Sequence, residues 1–188
     1  GVNAVLLAPY YVFLSRMGTL STTGRCRAFD AQADGFVPAE GVGAVLLKPL
    51  SRALRDGDHI AAVIRGGAVN HGGRAPSLPA PNPRAQAQLL TTAFRNAEIN
   101  PDTLDYIETH GTGTSLGDPI EVSALAEAFR QHSRRHQFCA LGSLKSAIGH
   151  TEPAAGVGGV IKVVLALKNQ LIPPTLHFDE PNPHIPLL

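Results

Sequence analysis

Pro153 to Leu167 reads as a helix that is apolar on every side, with Gly156, Gly158 and Gly159 spaced through it. A surface helix keeps a polar face, so a helix without one belongs between the layers of a fold. Glycine costs a helix interior about 1 kcal/mol relative to alanine. Three of them in a buried helix imply close approach by neighbouring backbone. The chain is therefore expected to build layers on both sides of this helix.

The remaining segments alternate strand and helix. Gly41 to Leu50 (Val42, Ala44, Val45, Leu46, Leu47) and His59 to Gly66 (Ile60, Ala61, Ala62, Val63, Ile64) read as buried strands, with a short helix from Ser51 to Asp58 between them, closed by Gly57. Asn82 supplies an N-cap and Pro83 the first position of an amphipathic helix to Ala97, built on Leu89, Leu90, Ala93, Phe94 and Ala97. A strand through Leu104, Tyr106 and Ile107 delivers His110 at its end. Asp118, Pro119 and Glu121 have the form of a capping-box start for a helix with Val122, Leu125, Ala126 and Phe129 on one face. Phe138 to Gly142 reads as a further strand leading to Lys145 and His150, and the Pro/Gly-rich stretch Asn70 to Pro83 as a loop long enough to carry a function. Strands alternating with helices predict an α/β fold with at least one mixed or parallel sheet.

Composition narrows the function classes. An apolar content of 44% supports a real core, and 16 basic against 15 acidic residues leave no broad electrostatic footprint for nucleic acid. The two cysteines, Cys26 and Cys139, form no CxxC pair, so neither a disulfide framework nor a zinc site is indicated and a reducing cytosol is the default. Cys26 lies between Arg25 and Arg27, which would lower its pKa, yet it reads as structural; Cys139, inside an apolar strand, reads as core. Eight histidines include no HExxH pair. The dinucleotide fingerprint fails at Leu46, and there is no GK[ST] for a P-loop. Gly1 opens straight into an apolar run without a basic n-region, and both ends are apolar, which reads as an excerpt of a larger domain rather than a secreted chain. No apolar run reaches the roughly 18 residues that would span a membrane.

Two segments carry titratable chemistry. In Glu108 to Pro119 (ETHGTGTSLGDP), a histidine at a strand end is followed by glycines and hydroxyl residues, so backbone can approach a ligand that the imidazole faces. The plain alternative is a Gly-Thr turn with a partly exposed histidine. In Ser143 to Gly156 (SLKSAIGHTEPAAG), Lys145 and His150 stand five apart between a strand and the apolar helix. Singly they read as a solvated lysine and a packing histidine; two such segments at corresponding strand ends are less easily read as unconnected.

The strings HGTGTSLGDPIE and SLKSAIGHTEPAAG resemble the two histidine motifs of ketosynthases from type I modular polyketide synthases, within the thiolase-like superfamily. GRCRAFDAQADGFVPAEGVGAVLLKPL (Gly24 to Leu50), AVNHGG (Ala68 to Gly73) and PPTLHFDEPNPHI (Pro173 to Ile185) agree, in order along the chain. The resemblance implies an incomplete five-layer α/β/α/β/α fold, with residues 1–56 ending the first thiolase-like half and 57–188 forming the second, which carries both histidine motifs. It implies decarboxylative Claisen condensation of an acyl-cysteine with malonyl-acyl carrier protein, the nucleophilic cysteine lying outside this chain. His110 and His150 would donate to the enolate oxygen, Thr112 and Thr114 would hydrogen-bond the phosphopantetheine arm, and Lys145 would organise His150, with its carboxylate partner unassigned. The same resemblance implies an acyltransferase without metal or bound cofactor, substrates carried on acyl carrier protein, a homodimer in the complete enzyme, no nucleic acid or membrane partner, and a cytoplasmic location. AVNHGG is more like synthases whose acyltransferase is a separate protein. Without the nucleophile, this excerpt alone is expected to show no condensing activity. Two other readings stay open: a non-elongating ketosynthase that only transfers acyl chains, against which the presence of His110 counts, and a non-catalytic segment that docks carrier proteins.

Overall fold

The computed structural model describes residues 1–75 and 80–185; the middle of the proline-rich loop, Pro76 to Pro79, lies outside the described residues. β1 (Val2–Asn3) pairs antiparallel with β2 (Gly41–Val42). Between them come α1 (Ala8–Arg16) and a long segment without ladders, pinned by single bridges from Leu20 to Phe36 and from Pro38 to His150. α2 (Leu50–Asp56) ends on Gly57 at φ +69, the stop predicted from a glycine that tolerates the left-handed region. α3 (Pro83–Ala97) starts as expected, with the Asn82 side chain accepting from the amides of Arg84 and Ala85 at 3.1 and 3.2 Å.

β3 (Tyr106–Glu108) and β4 (Ala140–Gly142) run parallel, Tyr106 beside Ala140 and Glu108 beside Gly142, with α4 (Gly117–Arg130) as the crossover. α5 (Lys145–Ile148), a single turn, and α6 (Ala155–Asn169) follow. α4 is held from two directions. Its small Ala124 and Ala128 meet Ala87 and Phe94 of α3, where the rings of Phe94 and Phe129 stack edge-on at 5.4 Å. On another side Val122 packs with Ala28, Phe29 and Ile185. The Ala124 and Ala128 contact was not in the predicted stripe, because alanine carries little hydrophobic signal although it permits the closest helix approach.

Four expectations are corrected. Of Gly41 to Leu50 only Gly41 and Val42 pair, and His59 to Gly66 forms no ladder among the described residues; Leu46 is 97% exposed. Their apolar content suits a buried sheet, but a ladder needs a partner strand, and among the described residues only β1 supplies one, at Gly41 and Val42. Phe138 to Gly142 pairs only from Ala140. α6 is covered on one side only: Gly159 is its single buried residue, whereas Val160, Leu165 and Leu167 are exposed. Close packing does explain two of its glycines, since a Cβ at Gly158 would lie 3.1 Å from the Leu144 side chain and one at Gly159 3.2 Å from that of Glu108. Gly156 faces open space.

Candidate active site

The parallel pair β3 and β4 brings two chain exits together, and clefts form where parallel strands end. His110 follows β3 by two residues and Lys145 follows β4 by three. The buried Lys145 ammonium donates to the His110 carbonyl at 2.6 Å, and Ser143 Oγ donates to the Gly111 carbonyl at 2.7 Å. Past α5 the chain turns back at Gly149, φ +78, where a Cβ would meet the Val37 carbonyl oxygen at 2.9 Å. The turn seats His150, whose amide donates to Val37 O at 2.8 Å. The imidazoles of His110 and His150 then stand nearly perpendicular with centroids 5.5 Å apart, and Phe36 packs edge-on against His150 at 5.1 Å. The structure thus brings His110, Lys145 and His150 into one cluster.

The electrostatics keep both rings neutral. His150 Nδ1 accepts the Glu152 amide at 3.0 Å, so the proton of the neutral ring resides on Nε2, which is left as the ring's donor. Glu152 sits at φ +46, and its carboxylate accepts a hydrogen bond from Tyr10 Oη. Burial, followed by the Lys145 ammonium and His110, pushes His150 down to about 4. His110 has an exposed edge, yet the protein packed around it withdraws enough water to hold it below the usual histidine range, with Lys145 adding to the effect and Glu121 opposing it. Burial also lowers Lys145, against the pull of Glu121 and Glu108.

This has a consequence for stability. An unfolded histidine takes up its proton near pH ~6.5, whereas His150 does so only near 4. Between those values the unfolded chain binds more protons, so this histidine makes the fold lose stability as pH falls. Asp118, pushed up to about 6 chiefly by burial, works in the opposite direction over most of that window. Replacing His150 by glutamine removes only the histidine's contribution. In urea titrations of the complete ketosynthase, the difference between parent and variant should shift in the variant's favour on going from about pH 7 to about pH 5. Curves that stay parallel would show that His150 titrates like an unfolded histidine.

The Gly-Thr loop is held by acids that were expected to do something else. Glu121 accepts the amides of His110 and Gly111 at 2.7 and 2.8 Å, and the buried Asp118 accepts those of Phe29 at 2.7 Å and Gly113 at 3.2 Å. The α4 N-cap is Leu116, without a side-chain cap, so the capping-box expectation is corrected. The amides of Phe29 and Gly113 are buried and that of Gly111 part-buried, and a carboxylate stabilises such donors more than it would helix amides open to water. Asp118 and Glu121 are the site residues that the sequence reading passed over. The signal was two acids at the start of an otherwise apolar helix, directly after a glycine-rich run. Thr112 Oγ1 and Thr114 Oγ1 lie 3.3 Å apart, and Thr114 Oγ1 also accepts the Gly117 amide at 3.2 Å.

A cavity of about 530 Å³ opens beside the cluster, lined by Glu108, His110, Leu144, Lys145 and the glycine-bearing side of α6; His150, Thr112 and Thr114 are not on its wall. Cys26 is buried, its Sγ accepting the Val37 amide at 3.2 Å, and burial pushes its thiol up, which corrects the lowering expected from Arg25 and Arg27. Cys139 is half-buried at the edge of an apolar groove rather than in the core, and burial pushes it to about 11. Neither thiol has the lowered pKa of an activated nucleophile.

Comparison with known proteins fits this geometry. The model of the beta-ketoacyl synthase C-terminal domain matches residues 61–179, and that of the N-terminal domain residues 1–53. Polyketide synthase PksL of Bacillus subtilis (strain 168) is 51% identical over 188 residues, which is 100% of this chain and 4% of that protein. Polyketide synthase PksM of the same strain is 49% identical over 185 residues, 98% of this chain and 4% of that protein. Among solved structures, the ketosynthase from module 6 of the bacillaene synthase from Bacillus subtilis 168 superposes with a TM-score of 0.97 at 44% identity, covering 100% of this chain and 33% of that one. The oxazolomycin ketosynthase domain of Streptomyces albus JA3453 gives 0.96 at 49% identity, with 33% of its chain covered. The fold is thus the thiolase-like ketosynthase fold, of which this chain spans about one third of the solved examples. No helix among the described residues is long and apolar enough to cross a membrane.

Proposed function

Because the chain belongs to the beta-ketoacyl synthase family, we propose that it is the malonyl-handling segment of a polyketide synthase ketosynthase, an acyltransferase acting by decarboxylative Claisen condensation. The carrying observation is the pair of neutral imidazoles, perpendicular at 5.5 Å, with the His150 proton held on Nε2. Malonyl thioester on the phosphopantetheine of an acyl carrier protein breaks its bond to the carboxylate and releases carbon dioxide. The electron pair left behind forms an enolate whose oxygen accepts from His110 and His150. The enolate carbon attacks the thioester carbonyl of an acyl-cysteine contributed by the rest of the enzyme, forming the new carbon–carbon bond and expelling the cysteine thiolate. Donors aimed at a developing oxyanion act most strongly in a water-poor site. Neutral imidazoles suit this role, because they offer N–H groups and need not release a proton first.

Lys145 acts through the His110 carbonyl and through its charge, which adds to the burial that holds both rings neutral. Thr112 and Thr114 hydrogen-bond the phosphopantetheine arm as the carrier protein docks. The reading includes no metal or resident cofactor, a homodimer and a cytoplasmic location. It also includes a division near residue 57, supported by family matches that stop at 53 and resume at 61. AVNHGG supports an acyltransferase supplied as a separate protein. In this loop Asn70 Nδ2 donates to Ala85 O and the Gly72 carbonyl accepts from Asn82, which joins the segment to the start of α3. The test is to give the complete ketosynthase an acyl- and a malonyl-carrier protein and follow carbon dioxide and extended product. Loading without extension would replace this reading by the transfer-only one, which the presence of His110 disfavours.

A further inference from the structure

Glu108, the last residue of β3, is not solvated. Its side chain is 12% exposed and faces Lys162 of α6, 10% exposed, across 2.7 Å. Glu108 Oε1 accepts the Leu144 amide at 2.6 Å and Oε2 accepts the Tyr106 hydroxyl at 2.6 Å, while Lys162 Nζ also donates to Tyr106 Oη at 2.8 Å. Two glycines make room for this network. A Cβ at Gly142 would stand 3.0 Å from Tyr106 Cε2, and one at Gly159 would stand 3.2 Å from Glu108 Cγ. Lys162 is the single charged residue from Ala155 to Leu167, before the polar last turn of α6. A buried pair of this kind is rarely more stabilising than apolar packing of the same volume, so stability alone does not account for it.

Its connections are to the site. Glu108 precedes His110 by two residues, Leu144 adjoins Lys145, and Glu108, Leu144, Lys145 and His110 share the wall of one cavity. We propose that Glu108, with Lys162 as its counter-charge, is a positioning residue that clamps the exit of β3 to the exit of β4 and keeps a carboxylate on the cavity wall that Lys145 shares. This rests on the reading of His110 and Lys145 as malonyl-handling groups, but the clamp itself can be tested apart from that reading. The charged and titratable groups acting on Lys145 are Glu121 and Asp118 from α4, Glu108 from β3, Cys26, and the two imidazoles. Glu108 favours the charged amine, so its loss makes Lys145 give up its proton at lower pH.

The experiment compares the complete ketosynthase with Glu108→Gln and with the double variant Glu108→Gln/Lys162→Met. Three quantities are read: thermal midpoint, the pH dependence of Lys145 acetylation by trace acetic anhydride followed by mass spectrometry, and the pH profile of carbon dioxide release from malonyl-carrier protein. Glu108→Gln strands a buried ammonium and lowers the thermal midpoint; the double variant, with neither charge, recovers most of it. The Lys145 labelling midpoint falls in Glu108→Gln and stays below the parent's in the double variant. The alkaline limb of carbon dioxide release moves with it, by about tenfold in rate at fixed alkaline pH for each unit of displacement. If Glu108→Gln does not fold, the double variant carries the comparison. A Lys145 midpoint that does not move, or that returns to the parent's value together with the thermal midpoint, makes the pair purely structural and overturns the proposal. Normal labelling shifts in an enzyme that releases no carbon dioxide would instead remove the condensation reading and leave the clamp standing.

Discussion

With His110 replaced by alanine, the complete ketosynthase should still form its acyl-enzyme but extend it about 10²–10³-fold more slowly, the usual loss when one donor to a developing oxyanion is removed. The structure makes this substitution clean. His110 is anchored through its main chain, its amide to Glu121 at 2.7 Å and its carbonyl to Lys145 at 2.6 Å, and alanine keeps both. Only the ring is lost, and with it the donor. Acylation depends on the cysteine thiol and its own oxyanion hole, so a mass increase on treatment with acyl-carrier protein should match the parent's. Loss of both half-reactions would assign His110 a shared or structural role. Normal extension would remove it from the mechanism.

His150→Ala should reduce carbon dioxide release from malonyl-carrier protein by a similar factor of about 10²–10³, with a distinct structural signature. Here the ring is part of the scaffold, since Nδ1 accepts the Glu152 amide at 3.0 Å and Phe36 packs against it at 5.1 Å. Leaving that amide without its partner should cost about 1 kcal/mol, a modest loss in thermal midpoint. The fold's other holds on this turn, the bonds of its main chain to Val37 and Ala39, persist. Unchanged carbon dioxide release together with lowered stability would make His150 a packing residue only.

Element identity was legible where the determinants are local. The Asn82 cap, the Pro83 start and the Gly57 stop of α2 rest on backbone chemistry within a few residues, and the structure has them where the sequence indicated. His110 and Lys145 could be placed at strand ends because the strands before them and the helices after them were readable. Asp118 and Glu121 were not read correctly: local chemistry offers an acid in a first helical turn a capping role, and only the tertiary fold brings them the amides of Phe29, His110, Gly111 and Gly113, those of Phe29 and Gly113 buried. The partner of Glu108 was equally out of reach, since Lys162 lies far along the chain and meets it only because Gly159 lets the α6 backbone approach.

The sequence by itself thus determined which segments are apolar enough to be buried, where α2 stops and α3 starts, and which titratable residues leave neighbouring strands. It could not determine what covers an apolar face. Leu46 and the outer side of α6 carry the composition of a core yet are exposed in this chain, because burial belongs to a pair of surfaces and a segment encodes only its own. Tertiary structure alone decided the protonation of the cluster. An imidazole is held neutral by loss of water and by a neighbouring ammonium, and both depend on distances that no spacing of residues along the chain contains.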